Sequence, residues 1–132
     1  MSDINIGAIS EALNRKVDLP MGDSQDGIDY VVDWQDPTSN NSYTWYRKYK
    51  SGWVEQGGIT GKNISSINVN LPITMADTNY HVNITISTGG TGSGGCDKAH
   101  AVGSRTTTYI HIDMVAAANY QTIWEVKGIA AQ

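Results

Sequence analysis

The 132-residue chain has no phenylalanine, a single cysteine and three prolines. A lone Cys96 cannot close an intramolecular disulfide, so cysteine usage points to no oxidising compartment. Basic residues are few, nine against thirteen acidic ones, for a net charge of −4 and a pI near 5.1. They are scattered apart from Arg47, Lys48 and Lys50, so the cationic stripe of a nucleic-acid-binding surface is missing and no nucleic-acid partner is expected. No apolar run approaches the roughly 20 residues of a spanning helix, and no membrane insertion is expected. Residues 1–10, MSDINIGAIS, lack the basic start and apolar centre of a secretory leader, which predicts synthesis in the cytoplasm of the expressing cell. A chain of this length forms one domain that buries about two-thirds of its unfolded surface, with no need of metal, disulfide or cofactor.

What is abundant leans toward β-structure. Fourteen glycines, seven tyrosines and four tryptophans accompany frequent Thr, Ile and Val, a composition of strands joined by tight turns. With no Phe, the aromatic rings are Tyr and Trp, each apolar in body and polar at the tip. They concentrate in residues 42–58, SYTWYRKYKSGWVEQGG. Read as a strand, this segment puts Tyr43, Trp45, Arg47 and Tyr49 on one face and Thr44, Tyr46 and Lys48 on the other. Ser51-Gly52 supplies a hairpin turn, residues 53–56 return, and the Glu-Gln-Gly-Gly end reads as a turn opening a glycine-flanked loop over 57–62. Trp34, Trp45 and Trp53 suit a core, while Tyr43, Tyr46 and Tyr49 suit solvent or a neighbouring subunit.

Along the chain, residues 1–20 hold the one helical pattern. Ile6, Ile9, Leu13 and Val17 recur at three and four to make an apolar stripe over 3–18, and Pro20 ends it. So short a helix needs a partner, either two further copies of itself or the β-domain. Residues 21–27 form a polar linker, and 28–132 a β-domain. Alternation marks strands at Ile28/Tyr30/Val32/Trp34, Ile67/Val69/Leu71, Tyr80/Val82/Ile84/Ile86, Thr106/Thr108/Ile110/Ile112/Met114 and Thr122/Trp124/Val126, with turns at 35–41 and 77–79. The expected fold is all-β, an antiparallel sandwich of about six to eight strands with a short N-terminal α-helix. Residues 88–105 read as one long glycine-rich excursion, the place where such a fold touches other molecules.

Few of these residues suggest chemistry. The run TGGTGSGG at 88–95 lacks the Gly-Lys-Ser/Thr and following helix of a phosphate loop, which leaves a surface loop. Cys96, Asp97 and His100 on glycine-rich backbone lack the fixed geometry that nucleophilic catalysis needs. His81, His111 and Asp113 fall on polar strand faces. Two ligands are too few for a zinc site from one chain, although His111 and Asp113 repeated about a threefold axis are candidates to ring a metal; a hydrogen-bonded histidine is the plainer reading. Asp33, Asp36 and Glu55 flank the aromatic segment as a glycosidase pair would, yet nothing in the sequence sets any two at working distance.

Residues 45–58 resemble the W-Y/R-x-Y-x-S/D-G-W-x-E-Q-G-G signature of the C-terminal domains of bacteriophage tail fibres. Asn70-Leu71-Pro72-Ile73 is similar to that family's V-x-L-P strand, residues 77–82 to its x-x-N-Y-x-V strand, and Ile123-Trp124-Glu125-Val126-Lys127-Gly128 to its terminal W-x-x-x-G strand. Residues 12–19 also resemble short repeats of fibre shafts. The resemblance spans residues 28–129 and implies a β-sandwich that works as a homotrimer at the distal end of a fibre, in the virion, and helps adsorption to the host. It departs from the family in the short stretch ahead of the sandwich, which leaves open a short protein bound to another tail protein or a piece of a longer chain.

The expected function is therefore non-enzymatic: recognition of a bacterial surface glycan or protein. Expected contacts are Tyr43, Tyr46 and Tyr49 in the hairpin and Thr91, Ser93, Asp97, Lys98, His100 and Arg105 in the excursion. Ile6, Ile9, Leu13 and Val17 are the expected trimerisation stripe. Alternatives are a small glycan depolymerase and a structural assembly module of the virion.

Overall fold

The computed structural model describes residues 28–88, 100–116 and 119–132. Among them run β1 (Val31–Gln35), β2 (Trp45–Tyr49), β3 (Trp53–Ile59), β4 (Ile67–Asn70), β5 (His81–Ser87), β6 (Ala101–Arg105), β7 (Tyr109–Asp113) and β8 (Gln121–Ile129), with a short 3-10 turn at Ser39–Asn41. They form two antiparallel sheets, ordered β1-β2-β3-β8-β5 and β4-β7-β6. This is the all-β, two-layer architecture expected from alternation. The helical stripe Ile6/Ile9/Leu13/Val17 and linker 21–27 lie outside the described residues, as do Thr91, Ser93, Cys96, Asp97 and Lys98.

Side chains with a period of two build the core. In β8, Thr122, Trp124 and Val126 are buried, separated by exposed or half-exposed positions. In β5, Val82 and Ile84 turn inward between exposed His81, Asn83 and Thr85. Ile110 and Ile112 of β7 are fully buried opposite them. Together with Val54, Met114, Trp124 and Val126, and with Leu71, Met75 and Tyr80 from the connections, they make one apolar cluster between the layers. Each such side chain contributes about 1.5–3 kcal/mol on burial.

The hairpin turn falls where expected. Gly52 takes φ +95 and donates its N–H to the Tyr49 carbonyl at 2.9 Å. Asp29, just ahead of β1, accepts from the Ser51 amide at 3.0 Å and from the Ser51 hydroxyl, tying the chain's entry to that turn.

The Glu-Gln-Gly-Gly end differs from expectation. It is no turn: β3 continues through both glycines to Ile59, and both are buried. A Cβ on Gly57 would lie 2.6 Å from the Trp124 carbonyl and 2.8 Å from the Trp45 indole nitrogen, and one on Gly58 would lie 3.0 Å from the Trp124 ring. The two glycines let one tryptophan lie against each face of β3. Gln56, with no exposed surface, accepts from the Ile73 amide at 2.8 Å and donates to the Ile73 carbonyl at 3.0 Å. A buried amide answered on both sides costs nothing in unpaired polarity and pins the 71–76 connection to β3.

Three further expectations are corrected. Trp124, 3% exposed, is the core tryptophan; Trp34 is 59% exposed, Trp53 is 38% exposed, and Trp45 is half-buried over Gly57. The reason is direction: the register sets Trp34 and Trp53 on the outer face of their sheet, with Arg47 and Glu55, and Trp45 on that same face over Gly57. No residue of β1 or β2 is buried, since the core draws on β3, β5 and β8 in one sheet and on β4 and β7 in the other. Second, Tyr43 is not a strand residue. It follows Ser42 in a left-handed turn, at φ 56, closed by Asn41 Oδ1 accepting from the amides of Thr38 at 2.9 Å and Thr44 at 3.1 Å. Third, the 88–105 excursion is shorter than expected because its end is strand β6, and the Thr106/Thr108 alternation is a turn in which Thr106 Oγ1 accepts from the Tyr109 amide at 3.0 Å.

Candidate functional site

The register of the five-stranded sheet decides what its outer face displays. Trp34 pairs with Arg47, Arg47 with Glu55, Glu55 with Lys127 and Lys127 with His81, so these five form one row across the sheet. Ile123 stands between Ile59 and Thr85 in another row, and Trp53 pairs with Ile129. The exposed apolar side chains Trp34, Trp53, Ile123 and Ile129 thus share one face with a charged band.

That band is tied internally. Lys127 Nζ lies 3.2 Å from Glu125 and 3.7 Å from Glu55. Tyr49 donates its hydroxyl to Glu55 at 3.1 Å, and this bond, more than burial, holds the Tyr49 phenol in its neutral form by raising its pKa. Glu125, then Glu55, likewise hold Lys127 charged, raising its pKa. Arg47 reaches Asp36 at 2.7 Å and the carbonyls of Gln35 and Tyr46 at 3.1 and 2.9 Å. The acids weighed as a hydrolytic pair each have their own partner: Asp33 the Tyr46 hydroxyl at 3.3 Å, Asp36 the Arg47 guanidinium, Glu55 the Tyr49 hydroxyl and Lys127. A carboxylate held by a cation or phenol is poorly placed to trade protons with a substrate.

Among the described residues, the expected contacts Tyr43, Tyr46, Tyr49, His100 and Arg105 do not form one cluster. Tyr46 and Tyr49 point to opposite faces of β2, and half-exposed Tyr43 lies beyond its start, beside a hollow of about 400 Å³ with Ser39, Ser42 and Gln121. His100 turns inward: its Nδ1 meets the buried Thr122 hydroxyl at 2.7 Å, its Nε2 is buried with no partner among the described residues, and burial pushes its pKa down. Arg105 donates to the Tyr80 carbonyl at 2.9 Å and lies over the Tyr80 ring, 5.8 Å from its centroid. His111 binds Asn68 Oδ1 at 2.6 Å through Nδ1 and Asp113 Oδ1 at 3.1 Å through Nε2, both ring nitrogens engaged. No group of three or more metal-ligating side chains occurs among the described residues.

Two adjoining hollows that sequence reasoning missed flank Tyr80 and His81. One, of about 330 Å³, is bounded by Trp53, Ile129, Asp77, Asn79, His81 and Lys127; the other, of about 320 Å³, by Val102, Gly103 and Arg105. The turn that shapes the first is built by Asp77, whose Oδ1 accepts from the Asn79 amide at 2.7 Å. Gly128 admits the 75–80 connection, since a Cβ there would meet Tyr80 at 2.7 Å and Met75 at 2.9 Å. The Asp77-Thr78-Asn79 turn was readable in the sequence. Its neighbourhood to Trp53 and Lys127 was not, because it depends on the pairing of β8 with both β3 and β5.

No family model matches the chain, and no curated protein matches it. Two solved structures are similar. The C-terminal part of the R2 pyocin fibre of P. aeruginosa aligns with a TM-score of 0.46 at 21% identity, over 64% of this chain and 23% of that one. An N-truncated R2-type pyocin tail fibre aligns with a TM-score of 0.48 at 19% identity, over 75% of this chain and 39% of that one. The chain thus spans well under half the length of either.

Proposed function

We propose that this chain is the distal domain of a bacteriophage-type tail fibre: a non-enzymatic module of the virion that associates as a homotrimer and recognises a glycan or protein on the bacterial surface. The observation that carries this reading is the uncovered β1–β2 ribbon. The tail-fibre signature begins within it, and it holds no buried residue. Trp34 stands 59% exposed and Val32 46% exposed at its edge, where a solitary sandwich gains nothing by displaying them. Burial against two sister chains recovers about 25 cal/mol per Å² of apolar surface, and a threefold arrangement multiplies weak surface contacts by effective concentration. The pairing of each acid with its own partner supports a binding rather than a hydrolytic role.

The test is the solution mass by sedimentation equilibrium. A trimer is expected, and Trp34→Ser shifts it toward monomer while the far-ultraviolet spectrum is kept. A chain that stays monomeric at every concentration overturns the trimer. Degradation of host polysaccharide by the purified chain overturns the non-enzymatic reading.

A further inference from the structure

We infer that the groove between Trp53 and the 77–81 segment is a saccharide subsite that takes an uncharged hexopyranoside. The inference deepens the receptor-binding reading and rests on it for its biological role, while the site is argued from its own side chains.

One wall is apolar. Trp53 and Ile129 pair across β3 and β8, and both stay exposed, 38% and 47%. An indole with a free face is a platform for the C–H face of a pyranose, which is apolar on one side and ringed by hydroxyls at its rim. The other wall is polar. Asp77 uses Oδ1 on the Asn79 amide, which leaves Oδ2 to accept from sugar hydroxyls. The side chains of Asn79 and His81, both exposed, make no hydrogen bond among the described residues. Lys127 has three donors and approaches two carboxylates. The groove therefore offers both donors and acceptors, which suits sugar hydroxyls, each donor and acceptor at once.

Charge narrows the ligand. Among the described residues the groove's ammonium, Lys127, is already attended by Glu55 and Glu125, and Asp77 adds a further carboxylate to the lining, so an anionic sugar meets repulsion. The volume of about 330 Å³ lies at the small end of ligand clefts, about 300–1,000 Å³, and suits one ring rather than a long chain. The groove lies toward the β5 edge of the sheet and the β1–β2 ribbon forms the other flank, so association through that ribbon leaves the groove open.

The experiment is a titration of the isotope-labelled full chain with methyl glycosides of glucose, galactose, N-acetylglucosamine and glucuronic acid, followed by amide and indole shifts. Expected are saturable shifts at the Trp53 indole and the backbone of Asn79 and His81 with at least one neutral glycoside, and weaker shifts with the glucuronoside. Trp53→Ala weakens that binding on the order of tenfold or more, and Asn68→Ala, on the other sheet, leaves it unchanged. His81→Ala, a change at an exposed position, repeats the test should Trp53→Ala fail to fold. Saturable shifts that map elsewhere, for instance beside Tyr43, overturn the groove assignment yet keep a receptor-binding module. Absence of saturable shifts with every neutral glycoside, or tighter binding of the glucuronoside, overturns the proposal outright.

Discussion

The two outer faces of this sandwich are built from the same alternation and end as different surfaces. On the three-stranded sheet the outward residues are Asn68, Asn70, Tyr109, His111 and Asp113, and three of them are linked, His111 to Asn68 and to Asp113, while the Ser66 hydroxyl donates to Asp113 at 3.4 Å. On the five-stranded sheet the outward residues mix exposed Trp34, Trp53, Ile123 and Ile129 with a band of paired charges. Its polar groups are largely spent on each other, so what remains to offer a partner is apolar surface. A face finished with short polar side chains needs no partner, whereas one finished with rings and consumed charges is better covered. That difference is why the proposed binding and association surfaces are put on the wider sheet.

Matched glycines, one per sheet, give the largest expected effect. Gly57→Ala drives a methyl into the Trp124 carbonyl and the Trp45 indole, a backbone atom and a packed ring that cannot both withdraw. We expect a loss of about 1–3 kcal/mol, read as a melting temperature lower by about 5–10 °C. On the narrower sheet, a Cβ at Gly103 meets chiefly the His111 ring, at 2.9 Å, and that side chain is only half-buried and can turn aside. Gly103→Ala should cost less than about 1 kcal/mol. Equal losses at the two positions would erase the distinction between a face locked by its rings and a face left to water.

Smaller still is His111→Ala, which removes a half-exposed hydrogen-bonded pair worth about 0–1 kcal/mol and should leave the solution mass unchanged. A change of oligomeric state in that variant would move the association surface to the polar sheet. The gentlest probe is pH. Burial holds the His100 pKa below its ordinary 6.5, so the folded state resists a proton that the unfolded chain accepts. Stability is therefore complete above pH about 6.5, declines as the pH falls below that value, and levels off beneath the lowered folded pKa. Melting curves taken across this window should show the decline in the parent chain and lose it in His100→Asn. A pH-independent parent would mean that His100 is as well solvated folded as unfolded.

Much of the scaffold was legible because alternation is a local property. Val82/Ile84 and Thr122/Trp124/Val126 read as half-buried strands and are, since the pleat alone sends neighbouring side chains to opposite faces. The glycine pair was misread for an equally physical reason. Two glycines in a row signal a turn when judged by backbone freedom, and only the presence of Trp45 and Trp124 above and below shows that they are there for space. The tryptophans were misplaced because hydrophobicity states that a ring should be covered without stating by what. Trp34 and Trp53 take the outward side of their strands, and which side of a strand meets the second sheet appears nowhere in a local pattern.

By itself, then, the amino-acid order determined the all-β class, the hairpin at Ser51-Gly52, the Asp77–Asn79 turn and the inward stripes, since each depends on residues within a few positions of one another. Tertiary structure alone decided that Gln56 answers Ile73, that Trp34 is left outside while Trp124 is enclosed, and that Trp53, Asp77, His81 and Lys127 border one groove. Those outcomes follow from which strands pair and which face of each sheet meets the other. Pairing between distant segments is settled by the free energy of the whole packed sandwich, so no single stretch of the chain contains it.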